Sequence, residues 1–315
     1  MEKKYELTPE TITFQDGTNR DITLHRIRAL RAFGPVHLGD LGGYVESEEN
    51  LSHHGDCWIT GDARVYDRAR VLEDALVSDQ ATLSGHACVM GSSRISGDAQ
   101  IFDHAVILGT ARISGHACIS DNACVSDSAC VTDNAQASGI AMIHGASRIS
   151  DRAIVTDSAH VYGSSLVYDS AYLSEHAEVY GECCVFESAY VHGNVRIGGS
   201  AFVGGDTELY GAAQIEGASA LCSNQDYLVI SPMPEYDMPL TFTRRRDGMI
   251  LAHFDYFLGT LDDLASACSP SGEYHEIAPF LTAASALARA SIASRPFDPD
   301  ELYTRRVIVY GTTIS

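Results

Sequence analysis

Residues 63–83 read ARVYDRARVLEDALVSDQATL, and this stretch decides the fold of about half the chain. A small residue stands at positions 63, 69, 75 and 81, and an aliphatic residue follows each of them two places later. The same phrase continues at a spacing of six from Cys57 to Ser219, which makes 28 consecutive units. It is weakest at Ala137, where the aliphatic residue is short, and at Val195, where the small residue is large.

The six-residue period predicts short strands stacked into coils. Side chains two places apart point to the same face of a strand, so the small and the aliphatic residue share one interior. The positions between strands hold mostly Gly, Asp or Glu followed by a polar residue, as in Gly97-Asp98, and these residues suit turns. One unit buries one aliphatic side chain, worth about 1.5–3 kcal/mol, so only stacked units form a core. We therefore predict an all-β dominated chain with a parallel β-solenoid of about nine coils over residues 57–222.

The repeated phrase carries a resemblance to a known family. Its pattern, [Ile/Val/Leu]-x-[Gly/Asp]-x-[Ala/Ser]-x, resembles the hexapeptide-repeat proteins, in which three strands per coil form a left-handed parallel β-helix. The flank Leu41-Gly42-Gly43-Tyr44-Val45-Glu46-Ser47-Glu48 adds a resemblance to the YdcK type of acetyltransferase. This resemblance implies a homotrimer and an acyltransferase that uses acetyl-CoA or another acyl-CoA as co-substrate. A histidine would act as general base on an acceptor hydroxyl or amine, which attacks the thioester.

Residues 1–56 lack the repeat and are predicted to form an N-terminal β cap. The pair Asp16-Gly17 lies between two short β-branched stretches and marks the turn of a hairpin. A cap is required because the open end of a solenoid exposes unpaired strand edges and a cut core.

Residues 223–315 also lack the repeat and are predicted to form a C-terminal α+β cap. A second hairpin is expected around Arg246-Asp247-Gly248, and Thr260 has the surroundings of a helix start. Helical spacing of apolar residues predicts an amphipathic helix over 277–292, and a last strand is expected at 305–310.

Composition limits the possible partners. The net charge of −21 comes mainly from the turn positions, where Asp and Glu recur, and it argues against a protein that binds nucleic-acid phosphates. The chain has no apolar run long enough to cross a membrane and no apolar leader after Met1, so a cytoplasmic location is expected. Nine cysteines without a Cys-x-x-Cys pair are interpreted as reduced thiols that fill small positions.

The 18-residue coil places residues 18 apart above one another, so outward side chains can be assigned to faces. One face carries Leu72, Met90, Leu108 and Met142 outward and is followed by a corner rich in glycine, as at Gly145. An apolar face beside a bare backbone edge predicts close approach of another molecule. A subunit interface of the homo-oligomer is the first hypothesis, and a ligand groove is the second.

A second face carries a ladder of Arg94, Arg112 and Arg148, interrupted by Cys130. Stacked guanidinium groups repel one another unless an anion lies among them. The ladder is therefore a candidate site for an anionic ligand, with charge balance by acids at the neighbouring corner, such as Asp133, as the alternative.

Two histidines are the candidates for a catalytic base. His144 and His160 point outward from adjacent coils on the apolar face, beside Tyr162 and the glycine corner. The stacked His86 and His104 are instead interpreted as polar turn residues. No pair of histidines has the spacing of the zinc site that some proteins of this fold carry, so no metal is expected.

Three functions remain open from the sequence. The first is transfer of an acyl group from an acyl-CoA thioester to a hydroxyl or amine. The second is a non-catalytic scaffold or binding module, because the unbroken repeat leaves no room for the loop and the histidine turn typical of hexapeptide acyltransferases. The third is a DNA mimic, which rests on the acidic corners alone.

Overall fold

The computed structural model describes residues 3–231, 233 and 238–292, and it shows a parallel β-solenoid with a cap at each end. The predicted solenoid is confirmed unit by unit, because 28 two-residue strands follow one another from Trp58–Ile59 to Ala220–Leu221. Each strand pairs in parallel with the strand 18 residues further on, as Arg94 does with Arg112. The strands form three sheets, which we name face A, face B and face C.

The strands of each face are spaced by one coil. Face A consists of Arg64–Val65, Thr82–Leu83, Gln100–Ile101, Cys118–Ile119, Gln136–Ala137, Ile154–Val155, Tyr172–Leu173, Tyr190–Val191 and Glu208–Leu209. Face B consists of Arg70–Val71, Cys88–Val89, Val106–Ile107, Cys124–Val125, Met142–Ile143, His160–Val161, Glu178–Val179, Arg196–Ile197 and Gln214–Ile215. Face C consists of Trp58–Ile59, Leu76–Val77, Arg94–Ile95, Arg112–Ile113, Cys130–Val131, Arg148–Ile149, Leu166–Val167, Cys184–Val185, Phe202–Val203 and Ala220–Leu221. Within a coil the chain visits face C, then face A, then face B.

The core consists of the small and aliphatic residues that define the repeat. Ala111 and Ile113 are typical, since neither has any solvent exposure. The weak places of the sequence, Ala137 and Val195, are buried in the same way, so the stack absorbs both without a break. Between coils the backbone is bonded as in any parallel sheet; the amide of Arg94, for example, donates to the carbonyl of Ala111 at 2.9 Å.

Each corner of the coil contains a residue with positive φ, which explains why the turn position holds Gly or an acid. Gly91 has a φ of 73°, and a Cβ there would lie 2.4 Å from the carbonyl oxygen of Gly109 one coil away. Asp121 takes the same conformation with a φ of 56°, and its carboxylate accepts the backbone N–H of Gly139 at 2.9 Å. Corner acids thus satisfy backbone donors of the next coil, and much of the negative charge is a consequence of the fold.

The N-terminal cap extends face A. Strands Tyr5–Gln15 and Asp21–Ala29 form the predicted antiparallel hairpin, and Leu41–Val45 joins the second of them to the first solenoid strand of that face. A short 3₁₀ turn follows at Glu48–Asn50. The amine of Lys4 has no solvent exposure and donates to the carbonyl of Cys57 at 2.8 Å, which closes the open end of the core.

The C-terminal cap contains one antiparallel sheet and two helices. Its strands are Tyr227–Ile230, Leu240–Arg244, Ile250–Phe254 and Phe257–Thr260. The predicted hairpin around residues 246–248 is confirmed by pairing of the second and third strands. Helix α1 spans Leu261–Ala267 behind a capping box of Thr260 and Asp263, and helix α2 spans Ala278–Ile292. The strand expected at 305–310 lies outside the described residues.

No disulfide bond joins the described cysteines, in agreement with the reduced thiols that the sequence predicts. Cys57 and Cys183 fill small core positions. Cys184 points outward from face C but is only 4% exposed, since it packs with Phe186 and Phe202 in an apolar cluster outside the solenoid core. The repeat correctly gives the direction of this side chain, but it contains no information about what covers it.

Candidate active site

The outward side chains of face B form a continuous ladder near the middle of the solenoid. His144 and His160 come from adjacent coils, and Tyr162 stacks on His144 with ring centroids 5.3 Å apart. Tyr180 of the next coil stacks on Tyr162 at 5.4 Å. The repeat produces this column because equivalent positions of neighbouring coils lie about 4.8 Å apart, which suits stacked rings.

The two candidate histidines are in direct contact. Their Nε2 atoms lie 2.6 Å apart, so one hydrogen lies between the rings and only one of the two nitrogens carries it. Both side chains are half-buried. Burial lowers the pKa of His160, and the neighbouring His144 lowers it further. A neutral His160 is the form that can accept a proton.

Asp127 joins this pair and was missed by the sequence analysis. Its carboxylate lies 3.5 Å from Nδ1 of His144 and accepts the backbone N–H of Gly145 at 3.0 Å. With its proton on Nδ1, facing Asp127, His144 has a bare Nε2 that accepts from Nε2 of His160. His160 then keeps a free lone pair on Nδ1. The sequence did contain a signal for Asp127. It is an acid in a row of corner positions that are otherwise mostly glycine, and it lies one coil before the corner next to His144.

A charged cluster continues the ladder towards the C-terminal cap. The hydroxyl of Tyr162 donates to one oxygen of Glu178 at 2.8 Å, and Nε of Arg196 donates to the other at 2.7 Å. Burial, followed by the hydrogen bond to Glu178, raises the pKa of Tyr162 to about 12. Tyr180 donates to Glu216, and burial together with this bond raises its pKa as well. Both phenols therefore stay protonated at neutral pH and act as hydrogen-bond donors to these carboxylates.

The cluster opens into a cavity of about 270 Å³ between the last coils and the C-terminal sheet. It is lined by Tyr180, Arg196, Gln214, Glu216, Met238, His253, Asp255 and Tyr256. Burial lowers the pKa of His253, whose Nδ1 is inaccessible to solvent. The cavity is polar and adjoins Tyr180, which connects it through Tyr162 to the histidine pair.

Arg94, Arg112 and Arg148 lie on face C, as the repeat predicts. Arg94 pairs in register with Arg112, and Cys130 separates Arg112 from Arg148. All three side chains are exposed, and none forms an ion pair with a described residue. Asp133 of the neighbouring corner instead accepts from the hydroxyl of Thr132 at 2.8 Å.

The remaining histidine prediction concerns the polar turn pair. His86 and His104 stack with centroids 4.7 Å apart and planes 5° apart, one coil from each other at an exposed corner. Among the residues that the structure describes, no three His, Cys, Asp or Glu side chains converge as metal ligands. Neither described helix has the length and the apolar composition needed to cross a lipid bilayer.

Comparison with known proteins agrees with the fold. A family model described as the YdcK beta solenoid repeat matches residues 147–163, a segment that includes Arg148 and His160. A curated relative from Escherichia coli (strain K12), "Uncharacterized acetyltransferase YdcK", is 37% identical over 60 residues. The chain is a YdcK-like hexapeptide-repeat protein. The alignment to YdcK covers 18% of this chain and 18% of that relative.

Proposed function

We propose that the protein is an acyltransferase that moves an acyl group from an acyl-CoA thioester, such as acetyl-CoA, to a hydroxyl or amine acceptor. The observation that carries this proposal is the chain of contacts from Asp127 through His144 to His160. It supplies an oriented imidazole on an outward face, which is what general-base catalysis of acyl transfer requires. The name of the E. coli relative supports the same class of reaction.

The proposed step uses the free Nδ1 of His160. This nitrogen accepts the proton of the acceptor O–H or N–H while the acceptor atom attacks the thioester carbonyl carbon. The tetrahedral intermediate then collapses, the carbon–sulfur bond breaks, and the CoA thiolate leaves and takes up a proton. Positive charge appears on the histidine pair in this step, and the carboxylate of Asp127 stabilises it.

The acyl-CoA is a co-substrate in this proposal, and no metal is part of it. The ladder of Arg94, Arg112 and Arg148 stays a predicted anion site, and the homotrimer and the cytoplasmic location also stay predictions. A non-catalytic scaffold is the second candidate, because the solenoid from Trp58 to Leu221 runs without an extruded loop.

Calorimetric titration of acetyl-CoA and of free CoA distinguishes the two candidates. Binding at micromolar concentration, with thioester cleavage in the presence of an amine and hydroxyl library, supports the acyltransferase. His160→Gln should then slow cleavage about 10²- to 10⁴-fold and leave binding intact. His86→Gln is the matched control, since it changes a stacked histidine of the same solenoid outside the ladder. Absence of binding by the intact protein would refute the acyltransferase and favour the scaffold.

A further inference from the structure

The three arginines of face C form a positive ladder in a strongly acidic protein. They occupy outward positions of face C, spaced by one coil between Arg94 and Arg112 and by two coils between Arg112 and Arg148. Guanidinium groups at such spacing repel one another. No described residue forms an ion pair with them, so direct contacts with carboxylates of the described part of the chain do not balance this positive charge.

A negative ladder stands on the opposite edge of the solenoid. Asp103, Asp121 and Asp157 occupy the corner between faces A and B, each exposed and each with positive φ. Their carboxylates accept backbone N–H groups of the next coil, at 2.9 Å for Asp121 and 3.1 Å for Asp157. Within the described part of the chain, none of them forms an ion pair with a basic side chain.

The two ladders match coil by coil. The corner residue lies nine positions after the face C residue of the same coil, so Arg94, Arg112 and Arg148 share their coils with Asp103, Asp121 and Asp157. Where face C has no arginine, the corner is mostly glycine. The pairs of this second kind are Leu76 with Gly85, Cys130 with Gly139, Cys184 with Gly193 and Phe202 with Gly211.

Two coils depart from the match, and one of them has a visible reason. Asp67 shares its coil with Trp58, but its carboxylate already forms an ion pair with Arg20 of the N-terminal hairpin. Glu175 shares its coil with Leu166 and remains the exception.

The matched charges cannot meet inside one molecule. The chain visits face C, face A and face B in turn, so the corner between faces A and B lies opposite face C, with the core between them. In a second copy placed alongside with parallel axis and aligned coils, each aspartate of one molecule meets the arginine of the same coil in the other. The spacing between the aspartates of one copy equals the spacing between the arginines of the other, because both copies have the same rise per coil.

We propose that the arginine ladder of face C is an interface for a second copy of this chain, whose acidic corner supplies the anions. The contact is heterologous, because each copy uses two different surfaces. It names carboxylates as the predicted anionic ligand of Arg94, Arg112 and Arg148, in place of a phosphate of the acyl donor. The proposal is independent of acyl transfer.

Light scattering coupled to gel filtration tests the interface in mixtures. One variant reverses the ladder with Arg94→Glu, Arg112→Glu and Arg148→Glu. The other neutralises the corner with Asp103→Asn, Asp121→Asn and Asp157→Asn, and asparagine tolerates positive φ. Each variant keeps one intact surface, so the mixture should form a dimer. Loss of three exposed ion pairs should weaken the self-association of either variant alone about 10- to 100-fold, so each should be monomeric at a concentration at which the mixture is dimeric.

The control variant carries Asp79→Asn, Asp133→Asn and Asp151→Asn. These acids also have positive φ, at the corner between faces C and A, and give the same change of net charge. In solution the control variant should have the same molar mass as the wild-type protein. The molar mass of the wild-type assembly should fall as the salt concentration is raised, because salt screens exposed ion pairs. A mixture that stays monomeric, or a ladder variant with the wild-type mass, would overturn the proposal. Weaker CoA binding by the ladder variant with unchanged mass would assign the ladder to the acyl donor instead.

Discussion

Replacing Asp127 by glycine should slow acyl transfer while leaving the fold intact. Glycine suits this position because the corner residues above and below, Gly109 and Gly145, are already glycines with positive φ. The change removes the carboxylate 3.5 Å from Nδ1 of His144. It therefore removes the group that orients the ring and stabilises the positive charge formed on the histidine pair.

The size of the effect follows from this distance. Two unit charges 3.5 Å apart attract by about 1 kcal/mol in water and by about 5 kcal/mol at an effective dielectric constant of about 20. The side chains of His144 and Asp127 are 35% and 63% exposed, so the lower figure applies. A loss of about 1 kcal/mol corresponds to a rate about 5- to 10-fold lower.

Asp79→Gly is the matched control for Asp127→Gly. Asp79 has a φ of 60°, against 56° for Asp127, and accepts a glycine N–H one coil on at 2.9 Å, against 3.0 Å for Asp127, but its carboxylate forms no ion pair with a described histidine. Both variants lose the same hydrogen bond and gain the same freedom in the unfolded chain. Steady-state rates and the imidazole tautomers seen by nitrogen NMR should change in Asp127→Gly alone. Equal rates and equal tautomers in the two variants would refute the assigned role of Asp127.

Three other predictions concern the histidines and the corners. His160→Gln should lower the rate of thioester cleavage by about 10²- to 10⁴-fold at unchanged CoA affinity, and a variant that keeps its rate would exclude His160 as the base. Burial lowers the pKa of His53, His160 and His253, so these histidines bind protons more readily in the unfolded chain than in the folded one. Their contribution to the free energy of unfolding should be fully present above pH ~6.5 and should be lost as the pH falls towards the lowered pKa values. Urea titrations across this range measure the loss, and a flat profile below pH ~6.5 contradicts the burial argument. Gly91→Ala should destabilise the fold more than Gly211→Ala. The two glycines have nearly the same φ, 73° and 71°, so the backbone strain of alanine is similar at both positions. The new Cβ would lie 2.4 Å from a backbone oxygen at position 91, whereas it would meet nothing within 4 Å at position 211. Equal unfolding midpoints for the two alanine variants would show that the corner spacing relaxes freely.

The sequence by itself determined the solenoid, its core and its faces. A strict period leaves no freedom of register, because a slip of one residue would turn the buried Ala111 and Ile113 outward. The same period placed His144 and His160 on neighbouring coils of one face and set the order of Arg94, Arg112 and Arg148. It also predicted the two hairpins and helix α2, where turn chemistry and apolar spacing agree with the fold.

Only the tertiary structure decided how the outward side chains meet. The contact between the imidazoles of His144 and His160 depends on their rotamers. The role of Asp127 depends on a carboxylate that contacts Nδ1 of His144 and also accepts the backbone N–H of Gly145 in the next coil. The cavity beside Tyr180 exists because a sheet from another part of the chain packs against the last coils. A hexapeptide repeat specifies the interior of a coil, where neighbours are fixed by the period. The sites on its surface depend on side-chain torsions and on distant segments, and neither follows from the period.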